Sequence, residues 1–242
     1  MKIAILSDIH ANDIALDAVY QDLESNGCEK ILVLGDLVGY YYNPSYVIDK
    51  IKNDSRCVVI RGNHEELLLK AIHDESFAVK CHQKYGSGIN VAMQTLSEEQ
   101  FAWLQKLPES INVEIDGVKL GLHHGSDKHI NEYIYPDTSV KRLQSVATER
   151  DYLFFGHTHY PAIFPKAGCV IVNPGSVGQP RDIGSLASYA ILNTDNASIV
   201  YRRVPFSNEN LIAKSKKKDP HYPYLSEILE RNNPYAKNYK FI

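Results

Sequence analysis

The sequence predicts an α/β fold in which two mixed β-sheets pack face to face with helices on the outside. Three observations predict it. Short β-branched runs alternate with helical periodicity through the first third of the chain. A strong hairpin signal, Asp116-Gly117, then opens a half that is richer in strands. Polar residues also fall directly behind the apolar runs, at the strand edge where open α/β sheets build their sites.

Taken in order, KIAILS at 2–7 is a strand followed by the helical DIALDAVYQDL, KILVL at 30–34 precedes PSYVIDKIK, and CVVI at 57–60 precedes EELLLKAI. This alternation is the mark of βαβ units and a largely parallel sheet. From about 66 to 108 the period is helical, and Ser97-Glu98-Glu99-Gln100 is a start signal for FAWLQKL. VEIDGVKLGLHH reads as a hairpin and residues 137–149 as a helix. YLFF, AIF, CVIV, SYAIL and SIVYRRV read as short strands, the last two turning at Asp195-Asn196. The second half therefore reads as more antiparallel than the first. Residues 1–204 are expected to form the main domain, with a helical insertion at about 66–108, and residues 205–242 a C-terminal extension. In that extension YLSEILER is a short amphipathic helix, and Lys214, Lys216, Lys217 and Lys218 read as a solvated face.

The chain has 242 residues, 44% of them apolar, enough for one large core. Its net charge of -3 predicts neither a nucleic-acid nor a membrane partner. Cys28, Cys57, Cys81 and Cys169 lie far apart with no CxxC pair, as expected of thiols in a reducing compartment. MKIAILSDIH breaks at Ser7 and Asp8, too soon for a signal segment, and no run approaches the roughly 18 apolar residues of a membrane span. A cytoplasmic location is expected.

The chemistry lies behind the strands. KIAILS ends in Asp8-Ile9-His10, ILVLG in Asp36, CVVIRG in Asn63-His64, VKLGL in His123-His124 and YLFFG in His157-Thr158-His159. Carboxylate, amide oxygen and imidazole without thiolate suit Mn²⁺, Fe²⁺, Zn²⁺ or Co²⁺. Seven candidate ligands exceed the needs of one catalytic ion, so two are expected, and two carboxylates leave such a pair with excess positive charge that attracts phosphate. Each piece alone has a plainer reading. Asn63 with Glu66 is also an N-cap with a capping box, Gly35-Asp36 a turn, and His123-His124 strand-end surface residues. Only the metal reading requires all five in order.

These residues resemble the calcineurin-like metallophosphoesterase superfamily, whose pattern D-x-H, G-D, G-N-H-[DE], H and G-H-x-H stands here as Asp8-Ile9-His10, Gly35-Asp36, Gly62-Asn63-His64-Glu65, His124-Gly125 and Gly156-His157-Thr158-His159. The stretch from Asn173 to Arg181, NPGSVGQPR, is similar to small prokaryotic phosphoesterases related to diadenosine tetraphosphatases. The resemblance implies a four-layer α/β/β/α sandwich. It also implies two divalent metal ions, manganese first, with iron, zinc, cobalt and nickel as the others. Asp8, His10 and His159 would hold one ion, Asn63, His124 and His157 the other, and Asp36 would bridge them; His123 would be a neighbour.

The implied activity is hydrolysis of phosphate mono- or diesters by attack of a hydroxide shared between the ions. The expected substrates are small nucleotides such as dinucleoside polyphosphates. His64 is the candidate general acid, with Asp36 or Asp8 as its orienting carboxylate. Arg61 and Arg181 are candidate phosphate contacts, and Ser176 shapes the turn before Arg181. In LVGYYYNP one of Tyr40, Tyr41 and Tyr42 can face the cleft, and Tyr41 is the candidate substrate contact. The helical stretch 66–108 and the segment DKHINEYIYPD can roof the cleft, with His129 a candidate contact. A protein serine/threonine phosphatase is the alternative, and a non-catalytic scaffold of the same fold a further one. Intact ligand positions and His64 argue against the scaffold.

Overall fold

Along each buried strand, successive side chains serve opposite faces. In the computed structural model, which describes residues 1–146, 149–166 and 168–233, β1 (Lys2–Leu6) sends Ile3 and Ile5 into one core cluster and Ala4 and Leu6 into another. Among the described residues the strands form two five-stranded sheets. The first has the order β10 (Ser198–Pro205), β9 (Leu186–Asn193), β1, β2 (Lys30–Val33), β3 (Cys57–Val59). Strands β1, β2 and β3 are parallel, with Ile5 opposite Leu32 and Val33 opposite Val59, whereas β9 is antiparallel to both β1 and β10. The second has the order β4 (Ser110–Ile115), β5 (Val118–His123), β6 (Tyr152–Phe154), β8 (Cys169–Pro174), β7 (Pro161–Lys166).

Two features differ from the expectation of a parallel half and an antiparallel half. The centre of the second sheet, β5, β6 and β8, is parallel. The hairpin β9–β10 joins the first sheet instead of the second. Its sequence gives the reason: Ala187, Tyr189 and Ile191 face the helices while Ala190 and Leu192 face the other sheet, so β9 is buried on both sides and belongs inside a sheet.

The buried apolar residues fall into three clusters, which are the three interfaces of a four-layer sandwich. Ile3, Ile5, Leu32, Leu34 and Ile60 meet Leu120, Leu122, Phe154 and Val172 between the sheets. Leu153, Phe155 and Ile171 pack outward on Ile134 and Val146, close to α7 (Val140–Gln144). The largest cluster binds the outer face of the first sheet to α1 (Asp13–Ser25), α2 (Pro44–Lys52), α3 (Asn63–Ala71), α4 (Glu75–Tyr85), α5 (Gly88–Thr95) and α6 (Glu98–Lys106). It also takes in α8 (Glu209–Lys218) and α9 (Tyr224–Glu230). Each buried aliphatic side chain contributes about 1.5–3 kcal/mol.

The stretch read as helical from 66 to 108 is four helices, and Ser97 and Gln100 cap α6 reciprocally, at 3.2 and 3.0 Å. The expected helix at 137–149 is the short α7, and residues 147 and 148 lie outside the described residues, as do 234–242 of the extension. Asp116 and Gly117, both at positive φ, make the β4–β5 turn. Among the described residues no helix is long and apolar enough to cross a membrane.

The extension packs into the common core through Leu211, Leu225, Ile228 and Leu229. Its Asp219 is buried and accepts hydrogen bonds from the Tyr42 hydroxyl at 2.7 Å, the Ser87 N–H at 2.9 Å and the Ser87 hydroxyl at 2.7 Å. Lys214 and Lys218 lie over the Tyr42 ring, at 5.3 and 5.9 Å from its centre. Asp219→Ala strands these donors, so it should destabilise the fold by about 1–3 kcal/mol. The check is a lower urea midpoint at unchanged slope, with Asp219→Asn recovering part of the loss.

Candidate metal centre

Strands β1, β2 and β3 of one sheet and β5 and β6 of the other end at the same edge, and each delivers a polar residue there. Asp8, His10, Asp36, Asn63, His64, His124, His157 and His159 are all buried. Their side chains form three overlapping groups with ligand atoms within 4.8 Å of one another: Asp8, His10 and His159; His10, Asp36 and His64; Asp36, His124 and His157. Asn63 joins the third group, its Oδ1 lying 2.8 Å from His124 Nε2.

The backbone aims these side chains. Asp8, His10, Asp36, His157 and His159 have φ between 50° and 65°, a left-handed conformation that costs a non-glycine residue energy. Each aspartate spends one oxygen on the chain. Asp8 Oδ2 accepts from the His157 N–H at 3.0 Å and Asp36 Oδ1 from the His64 N–H at 2.8 Å. The other oxygens face the imidazoles. Asp8 Oδ1 is 3.2 Å from His159 Nε2, and Asp36 Oδ2 is 3.3 Å from His124 Nε2 and 3.7 Å from His10 Nε2.

The histidines are fixed in the same manner. Carbonyl oxygens can only accept, so His10, His124 and His159 donate from Nδ1 to Val38 at 3.0 Å, Leu34 at 2.7 Å and Gln179 at 2.7 Å. Their Nε2 atoms consequently point inward, the outer-sphere pattern of metal-ligating histidines. In the absence of a cation these inward atoms oppose one another. The Nε2 atoms of His10 and His159 are 3.1 Å apart, and Asp8 Oδ1 and His157 Nε2 are buried without hydrogen-bond partners. Acceptors crowded into one place fit divalent cations, and carboxylate, amide and imidazole donors suit the borderline ions.

The charge balance agrees. Burial would raise the Asp8 and Asp36 carboxyls, but His159 beside the first and His124 and His64 beside the second hold both below the usual range. Burial pushes His157 down to about 3 and His64 to about 4, and also lowers His10 and His159, so these rings keep their lone pairs at neutral pH. His124 is the exception. Against burial, Asp36 and Asp8 raise it to about 9, so its proton balances the carboxylates.

His64 stands in the first turn of α3 with its ring edge-on to His10 at 4.7 Å and to Tyr85 at 5.1 Å, and tilted against Tyr40 at 4.8 Å. Its Nδ1 is buried without a hydrogen-bond partner, against a glycine, Gly39, whose Cβ would overlap it. Asp36 holds the His64 backbone, not its ring. The N-cap is Gly62 and not Asn63, and because glycine has no side chain only the Glu65 half of a capping box forms. The Glu65 carboxylate accepts from the N–H groups of Gly62, Asp36 and Leu37, each at 2.8 Å, and of Val38 at 3.2 Å.

The substrate-contact candidates separate. Tyr41 is turned away: it is fully buried, donates its hydroxyl to the Leu225 carbonyl at 3.2 Å and packs on Tyr42. Tyr40, at φ 53°, takes the place expected of it, 4.6 Å from the His10 ring. Arg61 pairs with Glu109 at 2.9 Å and lies 3.7 Å from Glu66, so the acidic rim holds it. Arg181 stays beside the cluster, where its charge depresses His159 and interacts with Tyr40, Tyr133, Tyr135 and Tyr224. Ser176 donates to the Asp8 carbonyl at 2.7 Å and accepts from the Gln179 N–H at 2.8 Å, fixing the turn. His123 packs on Phe155, and His129 is exposed and accepts from the Asn131 N–H. The roofing segment contributes Tyr133 instead, stacked on His157 at 4.1 Å. Sequence reasoning also missed Tyr85 of the insertion and Tyr224 of the extension; Tyr224 lies 6.2 Å from Tyr40 and donates to Gln179 Oε1 at 3.1 Å. Only the tyrosines of NEYIYPD carried a signal, being the aromatics nearest behind His124.

Fold and donor cluster define an α/β sandwich protein with a group of candidate metal ligands at its strand ends. The chain belongs to the calcineurin-like phosphoesterase superfamily, whose domain description matches residues 1–197. It is 34% identical over 222 residues to an uncharacterised protein of Methanocaldococcus jannaschii, covering 84% of this chain and 87% of the other. Phosphodiesterase YfcE of Escherichia coli is 24% identical over 210 residues, covering 83% and 91%. The crystal structure of a metallophosphoesterase from Sphaerobacter thermophilus superposes with a TM-score of 0.78 at 30% identity, covering 95% and 99%.

Raised to about 9 by Asp36 and Asp8, His124 is protonated at pH 7 and would lose that proton on ligating a cation. Binding of Mn²⁺ at pH 7 should therefore release about one proton per molecule, a release that fades as pH rises through 9. Calorimetry in buffers of different ionisation enthalpy measures it, and a heat independent of buffer would contradict the assignment.

Proposed function

We propose that the chain is a metal-dependent phosphoesterase that hydrolyses small nucleotide-type phosphodiesters. The observation that carries the reading is Asp36 Oδ2, which faces His10 from one group and His124 from the other. That is the placement a carboxylate needs to serve two cations, with Asp8, His10 and His159 on one side and Asn63, His124 and His157 on the other. Manganese is the favoured ion. When bound, such a pair lowers the pKa of water and neutralises phosphoryl oxygens.

The protein's own groups do the remainder. His64 is the acid that returns a proton to the leaving oxygen once the negative charge of a bound phosphate offsets the burial that lowers its pKa, and the rings of His10, Tyr40 and Tyr85 hold it in place. Arg181 is the cation retained for a phosphate oxygen. The diester preference is supported by the relative named a phosphodiesterase. Tyr40, Tyr85, Tyr133 and Tyr224 narrow the approach to the cluster, which favours a small molecule over a phosphoprotein loop, and the setting is a reducing cytoplasm.

Chelator-treated protein should lose hydrolysis of bis(4-nitrophenyl) phosphate and regain it with Mn²⁺; full activity after thorough metal removal refutes the reading. His64→Ala should lower kcat by roughly 10²–10⁴ on a diester with an alkoxide leaving group, and much less on the nitrophenyl ester, whose leaving group needs no proton. Equal losses on both substrates would remove the acid role.

A further inference from the structure

The rings of His10, His124 and His159 are each tied through Nδ1 to a main-chain carbonyl. His157 is anchored differently. Its backbone N–H goes to Asp8, while its imidazole, with Nε2 buried and without a hydrogen-bond partner, packs on Tyr133 at 4.1 Å and 29° and on His124 at 5.0 Å and 60°. An imidazole turns about its side-chain torsions unless a hydrogen bond or packing stops it, so the stack on Tyr133 fixes its direction. Tyr133 is fixed in turn by its loop. Residues 125–139 leave the sheet directly behind His124 and carry Tyr133 back onto His157, so one loop serves two members of the group Asn63, His124 and His157. Gly125 permits the start of that path, because a Cβ there would strike the Ile130 carbonyl. Glu132, next to Tyr133, accepts from Arg142 Nε at 2.7 Å, from Arg142 Nη2 at 2.9 Å and from the Ser126 hydroxyl, and the same Nη2 donates to Asp127 at 3.0 Å. A guanidinium that grips two acidic residues of one loop sets that loop's shape. Tyr133 is 47% exposed, so the loop, and not burial in a core, keeps its ring on His157.

We propose that Arg142, Glu132 and Tyr133 form a clasp that holds the His157 imidazole in its ligating direction. The cation position of Asn63, His124 and His157 then depends on this loop, whereas that of Asp8, His10 and His159 does not. The inference deepens the metal-dependent reading and rests on it for the division of the ligands between two ions. Tyr133 and Arg142 are positioning residues: they act through His157 and touch neither cation nor substrate.

Calorimetric titration of the chelator-treated protein with Mn²⁺ tests it, with His157→Ala marking which equivalent belongs to the second position. Tyr133→Ala should weaken that equivalent roughly tenfold and leave the other within about twofold, the latter also reporting an intact fold. Tyr133→Phe keeps the ring and should restore the wild-type affinity. Arg142→Ala should weaken the same equivalent, and combining it with Tyr133→Ala should add little, because both act through one contact. An unchanged second equivalent in Tyr133→Ala or Arg142→Ala, equal weakening of both equivalents, or no recovery in Tyr133→Phe overturns the clasp and leaves the metal-dependent reading standing. A wild type that takes up fewer than two equivalents removes the clasp and the two-cation reading together.

Discussion

The arrangement depends on one buried carboxylate that is not itself among the inward-facing ligands. Glu65, fully buried in the first turn of α3, gathers the N–H groups of Gly62, Asp36, Leu37 and Val38. Those donors come from the ends of two neighbouring parallel strands, β2 and β3. One side chain therefore sets the distance between Asp36 on the first loop and Asn63 and His64 on the second. Burial and the nearby Asp36 charge raise Glu65 to about 7, and the N–H groups of Gly62, Val38 and Asp36 oppose that rise. The same junction explains the glycines around it. A Cβ on Gly35 would strike the Gly62 backbone and one on Gly62 would strike Asp36, so the loops approach this closely only because neither carries a side chain.

A strand alone cannot bring its last residues together with those of its neighbours, since side chains alternate across the sheet. The left-handed turns at Asp8, His10, Asp36, His157 and His159 solve this geometrically by folding the chain back over the strand ends. Their backbone strain is sustained by hydrogen bonds that cross between turns, such as Ile9 N–H and His10 N–H to the Asp36 carbonyl at 2.8 and 2.9 Å. The turns of the second sheet are tied by Gly156 N–H to the His124 carbonyl at 2.7 Å, and the two sheets are joined by His157 N–H to Asp8 Oδ2 at 3.0 Å. The candidate ligand set is thereby preorganised by main chain, which leaves the inward side-chain atoms uncommitted.

What the sequence discloses follows from the range of each interaction. Strands, helix starts and the strand-end donors are local, and KIAILSDIH or YLFFGHTH carries both the period and the polar terminus. The partition of strands between sheets is not local, so β9–β10 could be recognised as a hairpin but not assigned to the first sheet. Spacing likewise places three tyrosines behind Asp36 without showing which one faces inward; that choice follows from the left-handed φ of Tyr40 and from Tyr41 and Tyr42 being claimed by Leu225 and Asp219. Arg61 was legible as a strand-end cation, but its partner Glu109 lies far along the chain. Glu65 was legible as a motif position, though three of its four hydrogen bonds depend on a loop nearly thirty residues away.

The two kinds of residue at this centre also differ in what carries them. The donor groups stand on strand ends and short turns tied to the main chain, whereas the rings around them come from outlying pieces: Tyr85 from the insertion, Tyr133 from the loop behind His124 and Tyr224 from the extension. The extension reaches the centre because Asp219 and Leu225 lock it to the tyrosine loop that holds Tyr40 against His10 and His64. Substitutions in these outlying pieces can change the shape and chemistry of the approach without removing a strand or a ligand. Substitutions on the strand ends cannot, since each donor there is also a node of the hydrogen-bond network joining the loops. On the proposed function, reaction and selectivity are thus carried by separable parts of one core.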